Sequence, residues 1–417
     1  MRFTLWTVLA VAGLATFVQA QEMPKCASDC LVKFLKDSKC EPTDAECICA
    51  DTVLNENVGA CTLTSCTVVE ALVARNGTAT LCGEPVRDRT LVAPVATAIS
   101  GSLALVFIAL RVFECLYHKE FQWADICAVC AMVSSIPMDI FEFYMKANGF
   151  GKDIWTLTEQ QITNVVKYTW VTQVSYIPAI CLTKIAIISI FIRVFPIKVF
   201  QMVCWGTIVH CALFMITTTI AAILACVPVE AAWTNWKGTK EGVCYDNNAF
   251  WWAHSAINIV TDLWILALPI PQLLKLQLGR KKKIYLILMF SVGIIITVVS
   301  IVRFSGLVTY SATSNPTYNN VMVATYSVIE CNVSIICCCM PALLAFLRRA
   351  YPSLFGSTNR SLEYRSKSVG GSKSPFPSNG IQKSVTQSVS YMPRSNDSDI
   401  VELMDVEENK PDRYHRW

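Results

Sequence analysis

An all-α fold in three parts is predicted: a small disulfide-rich helical module, a seven-transmembrane helix bundle and a disordered tail. Three observations predict it. Of 417 residues, 53% are hydrophobic and only 16% charged, with a mean hydropathy of +0.44, whereas soluble domains carry about 25% charged residues. Eight of the twenty cysteines crowd between Cys26 and Cys82. From Leu91 to Leu347 the chain then runs through seven apolar stretches, each long enough to cross a ~30 Å hydrocarbon core as a helix. This composition excludes an ordinary cytosolic globular protein. A net charge of +4 gives no electrostatic footprint for nucleic acid.

Met1 and Arg2, the apolar run from Leu5 to Val18 and the small Ala20 describe a secretory signal peptide over residues 1–20. The chain beyond Ala20 therefore enters an oxidising compartment, where cysteine spacing reads as disulfide arithmetic. The module, residues 21–85, holds Cys26, Cys30, Cys40, Cys47, Cys49, Cys61, Cys66 and Cys82. So short a segment buries too little apolar surface to fold alone, and cross-links must offset its chain entropy. Cys26 and Cys30, like Cys61 and Cys66, are spaced to lie on one face of a helix. If those helices run antiparallel, Cys26 meets Cys66 and Cys30 meets Cys61. The other four could then close as Cys40 with Cys47 and Cys49 with Cys82, but eight cysteines allow 105 pairings and spacing does not choose among them.

The order of these residues resembles the fungal extracellular eight-cysteine CFEM domain. The resemblance rests on Pro24-Lys25-Cys26-Ala27, on Asp44 three residues before Cys47, on Cys47-Ile48-Cys49, and on Cys61, Cys66 and Cys82. It implies a compact helical basket over residues 22–84. It also implies a haem option, because in some family members the aspartate matching Asp44 is an axial ligand of ferric haem, and a hard carboxylate suits Fe(III). Thr43-Asp44-Ala45-Glu46 reads equally as a capping box with Thr43 as N-cap, which would leave Asp44 as a residue that favours the helix dipole. Asn76-Gly77-Thr78 is a glycosylation sequon on the lumenal side.

Spans are expected near 91–110, 122–144, 166–193, 199–228, 249–274, 284–309 and 320–347, within a bundle taken as residues 86–350. Asp125, Asp139 and Glu142 interrupt the second. Arg111, Lys119, Arg193, Lys198, Lys275, Arg280 to Lys283, Arg348 and Arg349 flank one side of the spans. The other side carries Lys146, Lys152, Lys167, Lys237 and Lys240, so the positive-inside rule places the tail in the cytosol and the module outside. Arg87 and Arg89 oppose that bias locally.

Several stretches resemble the fungal rhodopsin-like seven-helix domain, which occurs fused to CFEM in receptor-like proteins of filamentous, often plant-pathogenic, fungi. They are Gly149-Phe150-Gly151-Lys152-Asp153-Ile154-Trp155, Lys184 with Ile192-Arg193-Val194-Phe195-Pro196, and Cys226-Val227-Pro228 with Trp233 and Cys244. Asp262 with Leu268-Pro269-Ile270-Pro271, Arg303, and Glu330 with Ile335 to Pro341 complete the set. The resemblance implies a plasma-membrane receptor for an unknown extracellular ligand, with heterotrimeric G-protein coupling and membrane lipid as further partners. Asp153 departs from the histidine that often follows the Gly-x-Gly. Retinal is not expected, since no lysine lies between Asn320 and Leu347 to form its Schiff base. The third span lacks an acidic residue before Arg193, and the seventh lacks Asn-Pro-x-x-Tyr, so G-protein coupling rests on family and topology alone.

Charges inside spans are costly, so Asp139, Lys184, Asp262, Arg303 and Glu330 need partners. Depth along the helices lets Arg303 reach Glu330, with Asp262 able to join them. Such a pair is either a ligand-sensitive ionic lock or a static contact that fixes helix packing. Cys226 and Cys244 are the natural ninth and tenth disulfide cysteines. Trp233, Trp236, Tyr245, Trp251 and Trp252 are expected in an interfacial aromatic belt rather than at a ligand mouth. Cys337 to Cys339 are expected to pack rather than carry lipid.

Residues 351–417 are rich in Ser, Gly, Pro and Lys and then turn acidic, which predicts disorder. Ser366, Ser368, Ser372 and Ser374 sit among basic residues in the setting of kinase sites. No apolar segment closes the sequence, so no GPI anchor is expected. No Gly-x-Ser-x-Gly, His-Glu-x-x-His, Walker or dinucleotide fingerprint occurs, and the four histidines lie far apart, so an enzyme is not expected. The alternative function is haem capture or iron acquisition, with the helices as an anchor.

Overall fold

The computed structural model describes residues 23–119, 121–238, 242–275, 280–311 and 313–350. The signal peptide and the tail, with its serines and its Asn359 and Asn396 sequons, lie outside the described residues. Among the described residues, a four-helix module precedes a bundle of seven long helices.

The module comprises α1 (Lys25–Leu35), α2 (Ala45–Ala50), α3 (Thr52–Ser65) and α4 (Val68–Leu81). Each of the last three starts on a side-chain cap. Asp51 accepts from the Leu54 amide at 3.0 Å, and Thr67 and Glu70 form a reciprocal capping box. For α2 the cap is Asp44 itself, whose Oδ1 accepts from the Cys47 amide at 3.0 Å. This corrects the assignment of the cap to Thr43. Aspartate caps at least as well as threonine, and from position 44 its carboxylate reaches the third amide of the helix. The module's hydrophobic cluster is Cys40, Ile48 and Leu54, too little to hold four helices. The disulfides supply the rest: Cys26–Cys66 and Cys30–Cys61 join α1 to the end of α3, while Cys40–Cys47 and Cys49–Cys82 tie in α2 and the end of α4.

The bundle is built from α5 (Val92–His118), α6 (Trp123–Ala147), α7 (Glu159–Val194), α8 (Lys198–Ile223), the single turn α9 (Ala231–Thr234), α10 (Asn247–Ala267), the short α11 (Ile270–Lys275), α12 (Arg280–Ser311) and α13 (Pro316–Ala350). Six of the long helices are long and apolar enough to cross a membrane by length and composition. The other, α12, contributes the apolar stretch Gly293–Thr309. Their outward faces carry Leu103, Val133, Met202, Val209, Leu213 and Val260 in the open. In water that surface would be an aggregation liability; against lipid it is the solvent-facing side. The core between the helices is continuous from Ala104 and Ile108 through Ala128, Ala131, Ile177 and Ile180 to Val328, Cys331, Ile335 and Cys338. Cys337, Cys338 and Cys339 are all buried.

Two expectations change. The fourth span ends at Ile223 rather than 228, because Cys226–Val227 pairs antiparallel with Val243–Cys244 as a two-stranded hairpin, closed by the Cys226–Cys244 disulfide. Arg111, counted among the flanking cations, lies inside the bundle at 4% exposure. Its Nε donates to Asp125 Oδ1 at 2.7 Å and its Nη1 donates to the Cys338 carbonyl. An acidic partner at the start of α6 makes that burial tolerable, so Arg111 fixes packing rather than reporting topology.

Candidate functional site

The Gly149-x-Gly151 motif is where the module meets the bundle. Gly149 and Gly151 have φ of +86° and +102°, which favour glycine. A Cβ on Gly151 would stand 2.6 Å from the Thr90 backbone nitrogen, so only glycine lets the linker from the module lie across this turn. The Arg89 amide then donates to the Gly151 carbonyl at 2.9 Å, and the Gly151 amide to the Thr317 carbonyl at 3.1 Å. Asp153, buried beneath, accepts from Arg87 Nη2 at 2.6 Å and from Asn315 Nδ2 at 2.7 Å. Arg87, which opposes the charge bias, is thus neutralised locally. The Arg75 guanidinium lies 4.6 Å from the Trp155 ring centre, joining α4 to the same turn. Arg75 also donates to Glu84 at 2.7 Å, a hydrogen bond that holds the Glu84 carboxyl below its ordinary range.

Between module and bundle lies a cavity of about 1490 Å³. Its module wall includes Ala27, Ile48 and Leu72, and its bundle wall includes Trp155, Trp170, Gln173, Ser327 and Val328. Trp236, Tyr245 and Trp251 also line it, and Trp251, at 6% exposure, is buried in the bundle rather than placed in the expected belt. The reason is its position near the start of α10, on the face that packs into the core between the helices. Trp233 packs on Trp170 with ring centres 5.4 Å apart, and Trp252 stays partly exposed.

Arg303 and Tyr176 also line the cavity, and both belong to a buried polar network. Arg303 Nε lies 3.0 Å from Glu330 Oε2. That N–H does not point at the oxygen, so the contact is an ion pair and not a hydrogen bond. Arg303 Nη2 donates to Ser255 at 3.1 Å, and its guanidinium faces the Tyr176 ring at 4.9 Å. Glu330 accepts from the Tyr176 hydroxyl at 2.9 Å, from Asn258 Nδ2 at 3.0 Å and from Ser300 at 2.5 Å. Lys184 donates to the Asn258 Oδ1 at 2.9 Å and pairs with Asp262 at 2.8 Å. The structure thus brings Asp262, Arg303 and Glu330 together, with Lys184 and Asn258 between the two ion pairs. Four helices, α7, α10, α12 and α13, are joined through one set of side chains.

Tyr176, Ser255, Asn258 and Ser300 are absent from the sequence expectation. Asn258 and Ser255 carry a legible signal, since they precede Asp262 by about one and two turns of the same helix face. Tyr176 and Ser300 carry none beyond being polar in a span. Glu142, in sequence no more than an interruption of the second span, has a distinct place in the fold. It is 1% exposed, lines the cavity, and its Oε2 has no hydrogen-bond partner among the described residues. Asp139, one turn below, accepts from Asn332 at 3.3 Å.

Asp44 is exposed, and its chain neighbours Thr43 and Ala45 line the cavity. Its Oδ1 is the helix cap, and its Oδ2 makes no hydrogen bond among the described residues. That donor set fits one axial carboxylate ligand for a haem iron. Asn76 lies within α4 and is half-buried, with Gly77 of its sequon exposed.

Known proteins agree with this architecture. The CFEM domain is matched over residues 19–83 and the Fungal rhodopsin domain over residues 110–349. A SAT4 family membrane protein of Emericella nidulans is 27% identical over 232 residues, which are 54% of this chain and 56% of that protein. Satratoxin biosynthesis SC1 cluster protein 4 of Stachybotrys chartarum is 28% identical over 179 residues, 41% of this chain and 60% of its own. Receptor GIN3 of Arthrobotrys oligospora is 25% identical over 282 residues, 65% of this chain and 66% of the receptor. The chain thus spans a little over half the length of the first two. No solved structure matches it. With more than half of its residues matched by the domain, and with a buried ionic network joining four helices of a multi-pass bundle, the chain belongs to the fungal rhodopsin domain family and carries a CFEM domain ahead of it.

Proposed function

We propose that the protein is a plasma-membrane receptor and not an enzyme: its module faces outward, the cavity receives a host or surface cue, and the bundle signals inward to a heterotrimeric G protein in support of infection. The observation that carries this reading is the continuity from cavity to network. A ligand in the cavity touches Arg303 and Tyr176, and any displacement of them is felt by the four helices bonded to Glu330 and Lys184. Such a network is a bistable element that a ligand can bias. The name of the GIN3 relative, a receptor, supports the same reading. Ser327→Trp would fill the cavity from its bundle wall. In fungal membranes exposed to host-surface extract, guanine-nucleotide exchange is expected to rise with the parent chain and to stay at baseline with Ser327→Trp. Equal responses of both, or of neither, would remove the reading.

Orientation is supported by the disulfides, which need an oxidising compartment, and by the flanking cations that remain after Arg111 is discounted. Endoglycosidase treatment is expected to shift the chain through Asn76 alone. A glycan at Asn359 or Asn396 would reverse the topology.

A second reading, haem capture, draws on the unengaged Oδ2 of Asp44. Haem held there would supply the module with a redox-active iron. Asp44 would provide the charged oxygen while its Oδ1 keeps capping α2. Absorbance titration of the full chain in detergent is expected to show ferric haem binding that weakens on reduction to Fe(II). Asp44→Asn keeps much of the cap, costing at most about 1 kcal/mol of stability, and should abolish binding. Equal, tight binding by both proteins would sink the ligand assignment.

A further inference from the structure

Six carboxylate residues are buried among the described residues: Glu114, Asp125, Glu142, Asp153, Asp262 and Glu330. Five have a basic side chain within ion-pair distance. Asp125 has Arg111, Asp153 has Arg87, Asp262 has Lys184, Glu330 has Arg303, and Glu114 has His118 at 3.5 Å. Glu142 has none among the described residues, and it is the one of the six that lines the cavity. Arg303, which also lines the cavity, is held by Glu330, Ser255 and the Tyr176 ring. A carboxylate placed this deep without a partner is costly, and the rest of the interior shows how this chain otherwise meets that cost. The same cavity is lined by Trp155, Trp170, Trp236 and Trp251.

A buried carboxyl on the wall of a cavity that also carries tryptophans is a receptor for a cation with an apolar body, because the cation's charge favours the ionised carboxylate. We propose that the ligand of this cavity is a protonated amine carrying an apolar or aromatic group, whose ammonium becomes the missing partner of Glu142. The proposal rests on the cavity being the ligand chamber and adds the chemical class. An ammonium donates to the Glu142 carboxylate, and its apolar body fills the space toward the module, among the tryptophans of the lining.

The test uses the full chain in nanodiscs of zwitterionic lipid, with empty discs subtracted. Phenylbutylamine and decylamine are compared with phenylbutanol and decanol by quenching of tryptophan fluorescence. The amines are expected to bind saturably and about tenfold more tightly than the matched alcohols. Glu142→Gln, which keeps size and fold, is expected to erase that preference while leaving alcohol binding unchanged, and Ser327→Trp to abolish both. Equal binding of amine and alcohol, or a preference that survives Glu142→Gln, overturns the amine proposal and leaves the chamber standing. Failure of every probe to bind saturably overturns both.

Discussion

Glu330→Leu is expected to cost the bundle about 3–5 kcal/mol, the range for removing one member of a buried ion pair. The loss is large because Glu330 answers one cation, Arg303, and three hydrogen-bond donors, Tyr176, Asn258 and Ser300, at once. Without it the Arg303 charge and three neutral donors are left in a dry interior. Removing both charges, as Arg303→Met with Glu330→Leu, is expected to recover most of the stability, since an apolar pair of similar volume carries no desolvation cost. Thermal unfolding in detergent can be followed with a thiol-reactive dye, because Cys331, Cys337 and Cys338 are free and buried in the folded bundle. A single substitution that lowers stability by less than about 1 kcal/mol would mean that the network does not hold the four helices together. The same cycle separates the two readings of the pair. A static contact yields a stable double variant that still signals, whereas a lock yields one that is stable but has lost its response to ligand.

The second large effect lies in the module. Cys26–Cys66, Cys30–Cys61 and Cys49–Cys82 close loops with separations of 40, 31 and 33 residues. In the chain-entropy account, loops of this size contribute about 3–4 kcal/mol each. Against them stands a cluster of Cys40, Ile48 and Leu54. Reduction is therefore expected to unfold the module completely while the bundle stays helical. Alkylation of the unfolded, unreduced chain should count ten thiols, the free cysteines, and twenty after reduction. Limited proteolysis should then cut between Gly83 and Leu91 only in the reduced protein. A module that stays protected after reduction would mean that its docking on Trp155 and Asp153, and not its cross-links, maintains it.

The contrast between these two sites shows what a linear pattern can carry. The cysteine spacings point to helix faces, and the structure joins those faces as Cys26–Cys66 and Cys30–Cys61. The apolar runs locate the long helices, because length and hydropathy are local quantities, but the bundle's first helix runs on to His118 and its third begins already at Glu159, each beyond its apolar run. Where a span stops short of its apolar run, at Ile223, a disulfide-closed hairpin replaces the end of the helix. Helix caps are nearly local too, yet Thr43 and Asp44 can both cap, one residue out of step with each other, and only backbone geometry decides for Asp44.

By itself, then, the sequence determined the class of the molecule: a cross-linked module, a multi-pass bundle, and interior charges that must find partners. Tertiary structure decided which partners they found. Arg111 went to Asp125 rather than to water, Lys184 to Asp262, and Arg303 to Glu330 through a shell of Tyr176, Asn258 and Ser300, while Glu142 received no cation among the described residues. The physical reason is that a charge's depth comes from counting residues along one helix, but its neighbours depend on how several helices are rotated and spaced against one another. Packing between distant segments sets that rotation. The same packing, with the module seated on the Gly149-x-Gly151 turn, turned Trp251 from an expected membrane anchor into a buried wall of the cavity.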